Sequence, residues 1–195
     1  RDFLERMKAT GKACDHFHLS LQSGSDDILK SMNRKYDTEI FKEKTDLIRD
    51  VFPNAGLTTD IIVGFPGESD ENHNETMDFV NKIKFSKTHL FKYSPREGTR
   101  AAKMDKQING KIKKDRLHDL EKIEEANRKE FLEKQIGKTL SVLFEEKSDM
   151  DGFKSGYSTN YLRVNVGDLS IASNEIYDVK ITARKDDELI GEISK

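Results

Sequence analysis

Asp60 lies inside Thr58-Thr59-Asp60-Ile61-Ile62-Val63, a run rich in β-branched residues that favours a pleated strand. A carboxylate there is costly to bury without a partner, so it marks either a ligand site or an internal salt bridge. As a ligand site it would accept hydrogen bonds from an amine or from sugar hydroxyls, and Ile62 shares its side of the strand. Gln22-Ser23-Gly24 closes an earlier strand. Gln22 and Ser23 offer hydrogen-bonding groups and Gly24 lets backbone approach closely, although turn chemistry alone asks for the same residues. Gly64-Phe65-Pro66-Gly67 follows the Asp60 strand. It can present backbone groups and an apolar wall to a flat ring, or simply reverse the chain. Arg34 could clamp a carboxylate or phosphate bidentately, or stand free on its loop. Tyr93 and Arg96 end a third strand, placed for substrate contact or for packing. His16 and His18 share one strand without further ligands in sequence, which reads as polar lining rather than a metal site. Cys14 reads as a buried structural thiol.

The elements that must position these groups alternate in type. A helix over 2–10 stops at Gly11. His16 to Gln22 has period two, with Phe17, Leu19 and Leu21 on one face and His16, His18, Ser20 and Gln22 on the other. Ser25 can cap a short helix over 26–32, and Asp37 or Thr38 one that runs to about Asp50 with Phe41, Lys44, Leu47, Ile48 and Val51 inward. The Asp60 strand follows, then a helix over 70–84 capped by Ser69 or Asp70, then a strand over 88–93. Strands joined by helical crossovers form a parallel sheet. Three strands make only part of a barrel, and the polar strand ends then meet at one C-terminal rim. A charged helix spans 110–136, and beyond Gly137 five short strands in about sixty residues suggest a small closed OB-like barrel. The fold class is α/β: a partial, TIM-like barrel of three parallel strands, then a small all-β barrel.

Composition narrows the function. Hydrophobic residues make up 34% and charged residues 36% of the 195, and the net charge is -2, so the chain as a whole has no pull toward nucleic acid or anionic membrane. Its single cysteine excludes an internal disulfide, which fits a cytoplasmic setting, and no apolar run approaches a membrane span. The chain opens at Arg1, in what reads as the tail of a helix, which suggests a fragment. The strand at His16 to Gln22 would then present an unpaired edge that invites dimers or swapped assemblies.

Several ordered motifs make the sequence recognisable: His18-Leu19-Ser20-Leu21-Gln22-Ser23-Gly24-Ser25, Met32-Asn33-Arg34, Thr59-Asp60-Ile61-Ile62-Val63-Gly64-Phe65-Pro66-Gly67-Glu68 and Tyr93-Ser94-Pro95-Arg96 with Gly98-Thr99. They resemble the radical S-adenosylmethionine tRNA methylthiotransferases. Gly156-Tyr157-Ser158-Thr159-Asn160-Tyr161 is similar to the TRAM domain of that family, a small RNA-binding β-barrel. Phe91-Lys92-Tyr93-Ser94-Pro95-Arg96 and Leu143-Phe144-Glu145 look most like the branch acting on threonylcarbamoyladenosine; the isopentenyladenosine and ribosomal-protein branches are near relatives.

The resemblance implies residues 1–105 as the C-terminal part of a radical domain, 106–136 as a linker helix and 137–195 as the TRAM barrel. It implies a parent enzyme that adds a methylthio group to C2 of the modified adenine beside the anticodon. S-adenosylmethionine would be the source of a deoxyadenosyl radical, and two [4Fe-4S] clusters would be needed, together with an electron donor. Gln22, Ser23, Gly24, Arg34, Asp60, Ile62, Gly64, Phe65, Pro66 and Tyr93 would hold S-adenosylmethionine. Lys138, Tyr157, Asn160, Tyr161 and Arg163 would meet the tRNA anticodon stem-loop, with no role for DNA or membrane. Clusters of this kind are held by cysteine thiolates, and Cys14 is the one cysteine, so this chain alone is expected to be inactive. Residues 137–195 carry eight basic and eleven acidic residues, so either Lys138, Lys154 and Arg163 gather on one face or the barrel orients the RNA rather than gripping it. The rival is a non-catalytic RNA-binding module.

Overall fold

The structure, a computed structural model, describes every residue except Lys147, Asp149 and Lys195. Helix α1 (Asp2–Ala9) leads into strand β1 (His16–His18), then α2 (Asp26–Ser31), α3 (Thr38–Val51), β2 (Gly56–Val63), α4 (Asp70–Ile83) and β3 (Lys87–Lys92). The long helix α5 (Gly110–Glu133) follows, then β4 (Thr139–Phe144), β5 (Lys154–Ser158), β6 (Arg163–Val166), β7 (Ile176–Lys185) and β8 (Glu188–Ile193).

Strands β1, β2 and β3 form a parallel sheet in that order. Alternation along β2 sends Leu57, Thr59, Ile61 and Val63 into the core, each at most 1% exposed. Phe41, Ile48 and Val51 of α3 pack there, with Phe79, Val80 and Ile83 of α4 and Leu120 of α5. The helices therefore cover one face, and the other carries Thr58, Asp60 and Ile62. Asp37 caps α3 by accepting from the Ile40 N–H at 2.8 Å, and Ser69 and Asn72 form a capping box on α4.

Several local expectations are corrected. Ser25 does not cap α2 with its side chain; its hydroxyl accepts from Asn72 Nδ2 at 3.0 Å and so ties α2 to α4. Lys44 is exposed and Thr45 takes the inward place on α3. Cys14 is exposed. β1 stops at His18 because the Thr59 hydroxyl enters the ladder: it donates to the Leu19 carbonyl at 2.6 Å and accepts from the Leu21 N–H at 3.0 Å. Pairing resumes at Gln22, which bridges to Ile61 with a left-handed φ of 73°. The charged helix α5 is no mere solvated spacer. Leu120 is fully buried in the first core and Leu132 in the second.

The second core fills a closed barrel of order β4-β5-β6-β8-β7, which leaves no strand edge open. Val142, Phe144, Leu162, Val164, Val179, Ile181 and Leu189 are among its fully buried residues, and Leu132 of α5 packs into it.

His73 on α4 is 5% exposed, and neither ring nitrogen has a hydrogen-bond partner among the described residues. Burial first, then the nearby Arg116 charge, pushes its imidazole below the ordinary value of 6.5. A base depressed in the folded state stabilises the fold above pH 6.5, and that contribution is lost as pH falls through 6.5 toward the folded value. Denaturant unfolding of wild type and His73→Phe at pH 8 and pH 5 should show wild type losing ground at low pH. The slope is at most about 1.4 kcal/mol per pH unit for one proton. A difference independent of pH would show that His73 protonates without penalty.

Candidate functional site

The polar ends of the three strands meet as the alternation requires. A groove of about 550 Å³ is lined by Gln22 after β1, Asp60 and Ile62 of β2, and Phe91, Tyr93 and Arg96 from β3 onward. A neighbouring hollow of about 350 Å³ shares Gln22, Ile62 and Tyr93 and adds Arg34 and Phe65. The Phe65 and Tyr93 rings meet edge to face with centroids 5.3 Å apart. The Tyr93 hydroxyl is buried without a hydrogen-bond partner among the described residues, so the groove wall holds an unsatisfied polar group.

Four other residues expected at this rim do not line either hollow. The Gly24 N–H and the Ser23 hydroxyl turn to Thr76 Oγ1 on α4, at 3.1 and 3.3 Å. A Cβ on Gly24 would sit 2.8 Å from the Thr76 Cα, so glycine is needed there for helix packing rather than ligand approach. Gly64 has φ 72° and its N–H donates to Glu68 Oε2 at 2.7 Å, which takes it from any ligand. Pro66 is buried.

The sequence reading missed what stiffens this rim. Arg116 of α5 is 6% exposed and donates to Glu68 Oε2 and to Asp70 Oδ1, both at 2.7 Å. One turn earlier, Lys113 donates to the Tyr93 carbonyl at 3.0 Å, its ammonium 5.1 Å from the Tyr93 ring centre. Helix α5 thus grips both flanks of the groove. Arg116 was one charge among many in the sequence, and only its burial singles it out.

A cleft of about 480 Å³ runs below, between the sheet and the barrel. The sheet supplies His16, His18, Thr58, Lys87 and His89, α5 supplies Arg128, and the barrel supplies Tyr157, Asn160, Tyr161 and Arg163. Alternation along the strand expected over 88–93 sets His89 on the Tyr93 side, whereas Lys87 lies one residue before that range.

Tyr157 and Tyr161, expected to meet RNA, are engaged with neighbouring side chains. Tyr161, 59% exposed and at φ 64°, stacks on His16 at 4.8 Å and on Tyr157 at 5.0 Å. Tyr157 also carries the Arg163 guanidinium 4.9 Å from its ring centre. Each ring therefore has stacking partners while remaining open to solvent. Arg163 is 8% exposed and ion-paired with Glu145, not a free surface cation. Lys154 and Arg163 stand at opposite ends of the β5–β6 ladder, and Lys138 instead donates to Asn54 Oδ1 at 2.7 Å. Asn160 is 1% exposed and donates to the Asn54 carbonyl at 3.2 Å. Lys138 and Asn160 therefore moor the barrel to the turn before β2. At Gly56 a Cβ would lie 2.4 Å from the Asn160 carbonyl, so glycine is required for that docking.

Because Tyr93 Oη gives up no hydrogen bond within the described residues, Tyr93→Phe should leave unfolding free energy unchanged or raise it by about 1 kcal/mol. Chemical denaturation checks this; a loss of that size would mean the hydroxyl is bonded within the fold.

Comparison with known proteins agrees with this architecture. Residues 1–80 match the Radical SAM superfamily. The chain is 41% identical over 201 residues to the tRNA-2-methylthio-N(6)-dimethylallyladenosine synthase of Bacillus subtilis (strain 168), covering 98% of this chain and 40% of that protein. It is 34% identical over 183 residues to the threonylcarbamoyladenosine tRNA methylthiotransferase MtaB of the same organism, covering 92% of this chain and 41% of the relative. The chain thus spans about two-fifths of the length of these relatives. Among solved structures, coproporphyrinogen III oxidase (HemN) from Escherichia coli, described as a radical SAM enzyme, superposes with a TM-score of 0.50 at 16% identity, over 67% of this chain and 30% of that one. That likeness concerns the fold alone.

Proposed function

The chain is a relative of the tRNA methylthiotransferases of the radical SAM superfamily, and from that premise we propose that it supplies the S-adenosylmethionine cradle and the RNA-facing barrel of such an enzyme. The observation that carries the reading is the convergence of Gln22, Asp60, Ile62 and Tyr93 from three parallel strands on one groove. These groups fit the cofactor. Asp60 and Gln22 offer acceptors for ribose hydroxyls or an amine. Ile62 and Phe65 offer apolar walls for an adenine, and the unsatisfied Tyr93 hydroxyl awaits a partner. Arg34 in the adjoining hollow can pair with a carboxylate. Ser23, Gly24, Gly64 and Pro66 serve this cradle by holding its turns in place.

The residues do not fit an iron–sulfur cluster. Three or four thiolates are required and the chain has Cys14 alone, so the cluster ligands come from outside it and the chain by itself is inactive. When bound and reductively cleaved, S-adenosylmethionine would supply the radical that takes hydrogen from C2 of the tRNA adenine. The chain's own part is to bind, orient and shield that pair. The anticodon stem-loop would approach over the cleft, and helix-borne and barrel-borne polar groups would meet it there rather than a stacking platform.

For the N6 substituent we favour threonylcarbamoyl, because the adjoining cleft offers hydrogen-bonding side chains on the sheet side: Thr58, Ser86, His18, His89 and Lys87. The second reading, dimethylallyl, is favoured by the higher identity, 41% against 34%. We place the enzyme in the cytoplasm with its tRNA; among the described residues no helix is long and apolar enough to cross a membrane.

The deciding experiment is the modified-nucleoside profile of tRNA from cells that lack the gene. Loss of the 2-methylthio form of threonylcarbamoyladenosine supports the first branch, and loss of the dimethylallyl form supports the second. Loss of neither would refute the function. Restoring the gene with Asp60→Ala should leave methylthiolation at least tenfold below wild type while tRNA affinity holds; full restoration would remove Asp60 from the cradle.

A further inference from the structure

We propose that His18, Asp60 and His89 form a divalent-metal site on the open face of the sheet, at the seam between the groove and the cleft. Each ligand comes from a different strand. Register sets Asp60 beside His89, and His18 beside Thr58, one step lower on the same face as Asp60. One nitrogen from each imidazole and one carboxylate oxygen all lie within 4.8 Å of one another.

The distances suit an ion. Zinc-like bonds of about 2.0–2.2 Å at tetrahedral angles put neighbouring ligand atoms roughly 3.3–3.6 Å apart. His18 Nε2 and Asp60 Oδ2 are 3.3 Å apart, so one edge of that polyhedron is already formed. The His89 ring, 6.0 Å from that of His18 between centroids, stands on an exposed stretch of β3 and has room to close by side-chain rotation.

A second shell is present too. His18 Nδ1 lies 3.0 Å from Thr58 Oγ1, which turns Nε2 toward Asp60. Metal-bound histidines characteristically have their other nitrogen held this way. Two imidazoles and one carboxylate with open positions suit zinc, cobalt(II) or iron(II) rather than magnesium or calcium. Asp60 lines the groove and the two histidines line the cleft, so water or another oxygen donor can reach the site to complete the shell. The histidine pair on one strand looked insufficient for metal in the sequence; the missing ligands arrive from β2 and β3.

The site goes beyond the proposed activity, and its test needs neither S-adenosylmethionine nor tRNA. The metal-stripped chain is titrated with cobalt(II) in a non-chelating buffer near neutral pH. We expect one equivalent to bind with visible bands of four- or five-coordinate cobalt, displaced by zinc. His18→Ala and His89→Ala should each weaken binding at least tenfold, with circular dichroism unchanged. His118→Ala, an exposed histidine on α5, should bind as wild type. Absence of stoichiometric binding, or wild-type affinity in His89→Ala, would overturn the site and leave His18 and Asp60 as a simple ion pair. Either result leaves the tRNA reading standing, because that rests on the nucleoside profile.

Discussion

Arg116 and Glu68 form the pair on which the geometry of the rim depends. Both are buried, at 6% and 3% exposure, and joined at 2.7 Å. Taking two charges out of water costs several kcal/mol each, so such a pair is weak evidence for stability. What it does is fix position. Glu68 holds the Gly64 N–H at the point where β2 turns away from the sheet, and Arg116 fastens Glu68 and Asp70 to α5. An apolar replacement could fill the same volume. It could not dictate where the turn lies against the helix.

Helix α5 carries that constraint across the molecule. Through Lys113 and Arg116 it reaches the groove; through Leu120 it enters the first core and through Leu132 the second. Asn160 and Lys138 add a second mooring at the turn holding Asn54. The barrel is thereby placed beside the lower, polar part of the sheet and not at its rim. The cleft between them is a consequence of these two attachments. Residues expected to grip RNA are partly consumed in making it, which is why the acidic balance of the barrel does not conflict with a positioning role.

Much of this was legible in the chain. Period two in His16 to Gln22 and in Leu57 to Val63 placed the polar faces correctly. Crossover helices dictated parallel pairing, and the change of period after Gly137 marked the barrel. What the chain does not show is tertiary pairing. Ser23, Gly24, Asn160 and Lys138 carry groups able to meet a ligand, and the structure gives each a tertiary partner. Sequence shows which groups can hydrogen-bond and not which are already used. Thr59 makes the same point in reverse: its hydroxyl cuts β1 short by standing in for the ladder.

The open face of the sheet follows from a mismatch between its two sides. Apolar residues on β2 are fully covered by α3, α4 and α5, so that side is complete. The other side sets His18, Asp60 and His89 within a few ångströms, with Gln22 and Tyr93 above. A sheet gains little in stability from gathering imidazoles round a carboxylate; surface ion pairs contribute about 1 kcal/mol at most. Register puts Asp60 beside His89, with His18 one step lower beside Thr58 on the same face. The helical side of the sheet is built for packing. The side it leaves open gathers the polar groups of all three strands.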